Sequence, residues 1–95
     1  MDATQFRQIA TPQANWNPAV RALWYEAQGD WTTAHEQVQD DDSADAAWVH
    51  AFLHRVEGDQ FNAAYWYRRA GRSVPAKTVA FRDEWAQLVW ALVKE

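Results

Sequence analysis

Two histidines and a glutamate are spaced so that they could hold a metal ion on one face of a helix. His50 and His54 are four positions apart, and Glu57 follows three positions later. Because an α-helix has about 3.6 residues per turn, these side chains share one face, opposite the apolar stripe that contains Phe52. Imidazole nitrogens and carboxylate oxygens are ligands of zinc and nickel. The spacing therefore predicts a candidate site for a divalent metal ion at His50, His54 and Glu57.

A structural role for the same residues is the alternative interpretation. Histidines on the polar face of a helix are usually solvated or paired with neighbouring acidic groups. Ala51 occupies the position that the glutamate would take in the H-E-x-x-H motif of metalloproteases. His35 belongs to a different predicted helix, so its place relative to His50 and His54 does not follow from the spacing.

Other catalytic groups have little support in the sequence. It contains no cysteine and only three glycines. Ser43 and Ser73 lack the Gly-x-Ser-x-Gly setting of a nucleophilic serine, and no glycine-rich phosphate loop is present. The sequence thus predicts no catalytic residue and favours a protein without enzymatic activity.

A second cluster combines aromatic and basic residues in the segment 65–69, Tyr-Trp-Tyr-Arg-Arg. Arginines beside aromatic rings suit acidic peptides, phosphates or stacked bases. They also suit a helix C-terminus, where cations meet the negative end of the helix dipole, and arginine stems commonly cover aromatic rings. The net charge of −4 argues against nucleic acid. We predict a contact surface for a protein or peptide at His50, His54, Trp66, Arg68 and Arg69.

The elements that must position these residues are helices. Their bounds are predicted from caps and apolar spacing as 19–28, 31–39, 44–57, 60–70 and 79–94. Residues 17–39 and 43–71 form two helical hairpins, and 78–94 form a C-terminal capping helix that begins after Thr78. Residues 1–16 are an N-terminal extension in which Phe6 and Ile9 suggest a short helix. Ser43 caps the third helix, so the acidic run 40–42 before it is interpreted as part of a helix start and not as a calcium loop.

Two expectations concern packing. Aromatic residues surround helix 60–70 on several sides, with Phe61 and Tyr65 on one side, Tyr67 on another and Trp66 between them, so we expect it to be the central helix. Phe81 and Trp85 belong to the apolar face of the last helix, and Trp90 points away from that face. Trp90 is therefore either part of an interface or covered by the N-terminal extension.

The two hairpins repeat a short pattern at an offset of 29 positions. Gly29, Asp30 and Ala34 then align with Gly58, Asp59 and Ala63. Each copy reads as a helix, a Gly-Asp turn and a second helix. Helix pairs that cannot bury their apolar faces alone are the units of solenoid proteins.

The second copy resembles the tetratricopeptide and Sel1-like helical repeats. The residues that carry the resemblance are Gly58, Ala63, Tyr67, Ala70 and Pro75. The first copy matches only at Gly29, Trp31 and Ala34. The segment is also similar to that of small bacterial proteins with no assigned reaction. The resemblance implies an all-α fold with a right-handed stack of hairpins and a role as a binding scaffold.

Composition limits the remaining choices. The chain has 95 residues, 48% of them apolar, with seven tryptophans. Buried aromatic area compensates for the small core of so short a chain. No segment has the length of a membrane span, and the N-terminus lacks the pattern of a secretory signal. We expect a cytoplasmic interaction module that binds a protein or peptide and has no cofactor. The module is either a monomer or a homodimer. The alternative is a small metal-binding protein or metal-dependent enzyme using His50, His54 and Glu57.

Overall fold

The computed structural model describes residues 1–93, and within that range every regular element is a helix. The helices are α1 (Ala3–Arg7), α2 (Pro18–Ala27), α3 (Trp31–Val38), α4 (Ala44–Glu57), α5 (Gln60–Ala70) and α6 (Phe81–Leu92). The predicted all-α class is confirmed. No helix of the described range combines the length and the apolar character that crossing a membrane requires.

Helix α4 is the centre of the fold. Residues 46–55, ten in succession, are buried. Helices α2, α3, α5 and α6 all contact α4, and α5 folds back along it after the turn at Gly58 and Asp59. A helix enclosed in this way carries buried residues on all its faces. Its polar side chains must therefore find partners inside the protein.

The expectation that helix 60–70 would be central is wrong. Helix α5 buries only Ala63 and Tyr67, while Phe61 is 86% exposed and Tyr65 is 40% exposed. Tyrosine combines an apolar ring with a polar hydroxyl, so Tyr65 does not require full burial. Single exposed apolar side chains such as Phe61 are also common on protein surfaces.

Local capping signals explain why the two hairpins begin and end where they do. The side chains of Asn17, Asp30, Ser43 and Asp59 each accept a hydrogen bond from the backbone N–H three residues later, at 3.0–3.1 Å. At the other end of α4, Gly58 has φ +90°, a left-handed conformation that glycine adopts without a steric cost. Helices α4 and α5 accordingly have the predicted bounds.

The N-terminal extension contains the predicted short helix. Helix α1 places Phe6 in the core, with its ring 5.0 Å from that of Trp16 and 6.0 Å from that of Trp85. Because α1 packs on the Trp85 side of α6, it leaves Trp90 uncovered, and Trp90 is 83% exposed.

The last helix starts later than the sequence predicts. Its N-cap is Ala80, which makes no side-chain cap, and not Thr78. The preceding turn is held by Arg55, whose guanidinium donates hydrogen bonds to the carbonyl oxygens of Ala76 and Val79. Phe81, predicted on the apolar face, is 43% exposed. The predicted end of the helix, Lys94, lies outside the described residues.

A buried ionic network joins α4, α5 and α6. Arg55 donates to one carboxylate oxygen of Glu84 at 2.9 Å, and the hydroxyl of Tyr67 donates to the other. Burial, followed by the bond to Glu84, raises the pKa of Tyr67, so its hydroxyl keeps the proton that it donates. Glu84 is 2% exposed and Arg55 5% exposed, and both charges are therefore matched within the core.

We expect Glu84→Gln to lower the free energy of unfolding by about 3–5 kcal/mol, because it leaves the buried guanidinium of Arg55 without a counter-charge. Urea denaturation followed by circular dichroism measures the change. Glu36→Gln on the exposed side of α3 is the matched control and should stay within about 0.5 kcal/mol of the wild type. Equal stabilities of the two variants would contradict a structural role for the network.

Candidate metal centre

The two histidines of α4 are buried, contrary to the solvated polar face expected from the sequence. His50 is 4% exposed and His54 is 9% exposed. The face that carries them is covered by α3 and by Trp66 of α5. The polar pattern of this face therefore marks an internal cluster.

His35 of α3 completes a group of three imidazoles. The ring centroids of His35 and His50 are 4.7 Å apart, those of His50 and His54 are 4.9 Å apart, and those of His35 and His54 are 5.4 Å apart. Each residue has one ring nitrogen within 4.8 Å of a ring nitrogen of the other two. Two hairpins thus contribute to one cluster, since His35 belongs to the first and His50 and His54 to the second.

Two tryptophans hold the outer sides of the cluster. The indole of Trp66 stacks on His50, with centroids 3.9 Å apart and planes 15° from parallel. The indole of Trp31 stacks on His35 at 4.9 Å and 10°. Trp31 is itself fixed because its Nε1–H donates to the carbonyl oxygen of Leu53 at 2.8 Å. These contacts set the orientation of His35 and His50.

Glu57 acts on His54 and is not the third member of the cluster. Its Oε1 is 2.6 Å from Nδ1 of His54, which donates the hydrogen bond. A carboxylate that accepts the proton of one ring nitrogen leaves the other nitrogen as the free ligand atom. In His54 that atom is Nε2.

A second grouping of His54, Glu57 and Asp59 also has ligand atoms within 4.8 Å of one another. The carboxylate of Asp59 already accepts hydrogen bonds from the backbone N–H and the side-chain amide of Asn62, at 3.1 and 2.7 Å. Asp59 therefore serves the start of α5, and the three-histidine cluster is the better ligand set.

His50 has a buried nitrogen that is not hydrogen-bonded. Its Nδ1 has no partner among the described residues. In the part of the chain that the structure describes, Oε1 of Glu26 is the other buried side-chain atom without a hydrogen-bond partner. The second oxygen of that carboxylate is already paired with Arg82 at 2.6 Å. A buried polar atom without a partner costs stability and calls for an explanation.

The cluster favours neutral imidazoles. Burial, followed by the proximity of His35, His54 and Arg69, lowers the pKa of His50 from 6.5 to about 3. Burial also lowers the pKa of His35. Neutral imidazoles keep the lone pairs that bind metal ions.

The structure brings together part of the predicted contact surface. His50, His54 and Trp66 belong to the cluster, and Arg69 lies against it with its guanidinium 5.0 Å from the ring centre of Trp66. Arg68 is exposed and lies outside the cluster. Sequence reasoning missed Trp31, and it left out His35 because spacing within one helix does not place a residue of another helix.

No protein-family model matches this chain, and neither does any curated protein or solved structure that was compared with it. The tetratricopeptide-like stacking of the hairpins stays a prediction.

The lowered pKa of His50 gives a pH dependence of stability for the metal-free protein. The unfolded chain binds a proton at His50 below about pH 6.5, whereas the native state binds it only near about pH 3. Native stability is therefore complete above about pH 6.5 and falls as the pH decreases toward 3, by up to about 1.4 kcal/mol per pH unit from this residue. Urea denaturation with a chelator present, across this pH range, measures the slope.

His50→Phe is the control, because it keeps an aromatic ring against Trp66 and removes the titrating group. We expect a shallower slope for this variant above about pH 5, where most carboxylates remain ionised. Equal slopes for the variant and the wild type would show that His50 titrates normally in the folded protein.

Proposed function

We propose that this protein binds a transition-metal ion, with His35, His50 and His54 as its ligands and Glu57 as the group that orients His54. The observation that carries the proposal is the convergence of three imidazoles, two of them buried and that of His35 half-buried, and one of the three has a nitrogen without a hydrogen-bond partner. We assign binding, and no reaction, to this site.

The donor set favours zinc and its neighbours in the first transition series. Imidazole is a common ligand of zinc, copper and nickel, whereas calcium and magnesium prefer oxygen. Zinc–nitrogen bonds of about 2.0–2.1 Å place the nitrogens of a tetrahedral site roughly 3.3 Å apart. The ligand atoms lie within 4.8 Å of one another, so metal binding requires side-chain movements that bring them up to about 1.5 Å closer.

Energetic considerations support the same assignment. The imidazoles of a poorly solvated cluster offer lone pairs with few proton donors to satisfy them. A metal ion would satisfy these lone pairs and would connect α3 to α4, and thus the first hairpin to the second. Since a ligand that binds only the native state stabilises it, the ion adds to the stability of the fold.

We expect the protein, produced without an affinity tag and supplied with zinc, to retain about one ion per chain after dialysis. Native mass spectrometry measures the stoichiometry, and a chelator should lower the melting temperature. Cobalt(II) offers a spectroscopic test, because a tetrahedral site gives intense visible absorption. A metal-free mass after zinc loading would contradict the proposal.

Single-residue variants distinguish the three-histidine ligand set from the second grouping, which contains Asp59. His35→Ala should abolish retention of the ion, and Glu57→Gln should weaken binding by about 10–100-fold while preserving the stoichiometry. Asp59→Asn should leave binding unchanged, and Glu36→Gln is a control for charge near α3. Wild-type binding by His35→Ala together with loss of binding by Asp59→Asn would move the site to the second grouping.

A second candidate function is recognition of a protein or peptide by the outer surface of α5. This surface consists of Phe61, Tyr65, Arg68 and Arg69. Phe61 is 86% exposed, and the guanidinium of Arg69 lies 5.9 Å from the ring centre of Tyr65. Aromatic and arginine side chains contribute much of the binding energy of protein interfaces. The positive charge of the two arginines suits an acidic partner. His50 and His54 cannot take part directly, because they are buried.

Selection from a random peptide display library tests this surface. We expect enrichment of peptides in which acidic residues flank an aromatic residue, and we expect the double variant Arg68→Ala, Arg69→Ala to lose them. A double variant that remains folded and enriches the same peptides would exclude this placement of the partner.

A further inference from the structure

A groove on the side of the protein away from α1 combines one exposed tryptophan with two charged residues. It has a volume of about 520 Å³ and is formed by the outer face of α6, by Trp48 of α4 and by Arg72 after α5. We call it the Trp90 groove, since Trp90 forms one of its walls. Ala86 and Ala91 also line the groove, and their small side chains leave space beside Trp90.

Trp90 is a large apolar side chain of this groove that is exposed to solvent. It is 83% exposed, whereas Trp48 on the opposite wall is 8% exposed. Each tryptophan that becomes buried removes about 150–250 Å² from water. The surface therefore offers both a projecting indole and an apolar depression of suitable size for an indole.

The two charged residues of the groove have opposite signs and do not pair with each other. The guanidinium of Arg72 lies over the ring of Trp48, 3.7 Å from the ring centre, and this contact fixes its position. Asp83, in the first turn of α6, also lines the groove. Within residues 1–93, neither side chain makes an ion pair or a side-chain hydrogen bond.

We infer that the Trp90 groove is occupied by a second copy of this chain, related by a two-fold axis. A two-fold interface uses the same patch on both copies, so every contact between two different residues occurs twice. Trp90 of each copy then fills the depression beside Trp48 of the other. Arg72 meets the partner's Asp83, and Asp83 meets the partner's Arg72.

The opposite charges of the groove favour a second copy of this chain over an unrelated apolar peptide as the occupant. A patch that carries one unpaired cation and one unpaired anion is complementary to itself. An interface of standard size buries about 800 Å² per partner. One tryptophan and one ion pair from each copy form a smaller contact, so the dimer is reversible and its population rises with protein concentration.

Sedimentation velocity over a concentration series tests the inference. We expect the wild type to pass from monomer to dimer, and Trp90→Ala to weaken dimerisation by roughly tenfold or more. Added salt should also weaken the dimer, because the ion pairs lie at the solvent-exposed rim. A wild type that stays monomeric throughout the series would overturn the inference.

Charge reversal identifies the pairing. Arg72→Glu opposes the partner's Asp83 with a like charge, and Asp83→Arg opposes the partner's Arg72, so each variant alone should be monomeric. An equimolar mixture of the two variants restores attraction at both contacts and should form a heterodimer. Arg7→Glu, a charge reversal on α1 and outside the groove, is the matched control and should dimerise as the wild type does.

Folding of each variant is checked by circular dichroism, since Asp83 also stabilises the start of α6. Folded variants whose mixture stays monomeric would overturn the pairing of Arg72 with Asp83, even if the wild type forms dimers. Metal binding is measured separately, because neither Trp90 nor Asp83 is a ligand of the proposed metal site.

Discussion

The enclosure of α4 is the constraint on which the rest of the structure depends. Ten consecutive residues of this helix are buried, and they include His50, His54 and Arg55. Because polar groups lose their hydration on burial, each of these side chains needs a partner from another element or from its own helix. The positions of Glu84, Glu57 and Trp66 follow from that need. The arrangement of α3, α5 and α6 around α4 therefore determines both the core and the candidate site.

The buried polar residues of α4 satisfy this need to different extents. Arg55 has the carboxylate of Glu84 and two backbone carbonyl oxygens, and Glu84 has Tyr67 as a further donor. Each buried polar side-chain atom of that network has a partner, so a structural role is sufficient to account for the network. His50, by contrast, has the face of Trp66 and a nitrogen without a partner. An incomplete set of interactions in an otherwise well-packed interior is the better indication of a ligand site.

Local signals made most of the fold predictable, while packing did not follow from them. Ser43, Gly58 and Asp59 act on neighbouring backbone groups, and both ends of α4 and the start of α5 were predicted from such local signals. The start of α6 depends on Arg55, which lies more than 20 residues earlier in the chain and holds the preceding turn. The candidate site shows the same division. The spacing of His50 and His54 was visible, but the position of His35 depends on how α3 lies against α4, which helical spacing within one segment does not encode.

The same enclosure also explains why the metal proposal and the surface proposals concern neighbouring residues. Trp66 packs its indole on His50 and lies under the guanidinium of Arg69, so one side chain of the candidate metal centre contacts the outer surface of α5. Trp48 lies two positions before His50 and forms a wall of the Trp90 groove. In a chain this short, the side chains of one central helix reach opposite surfaces. An ion that fixes His50 therefore also fixes the segment of α4 from which both surfaces are supported.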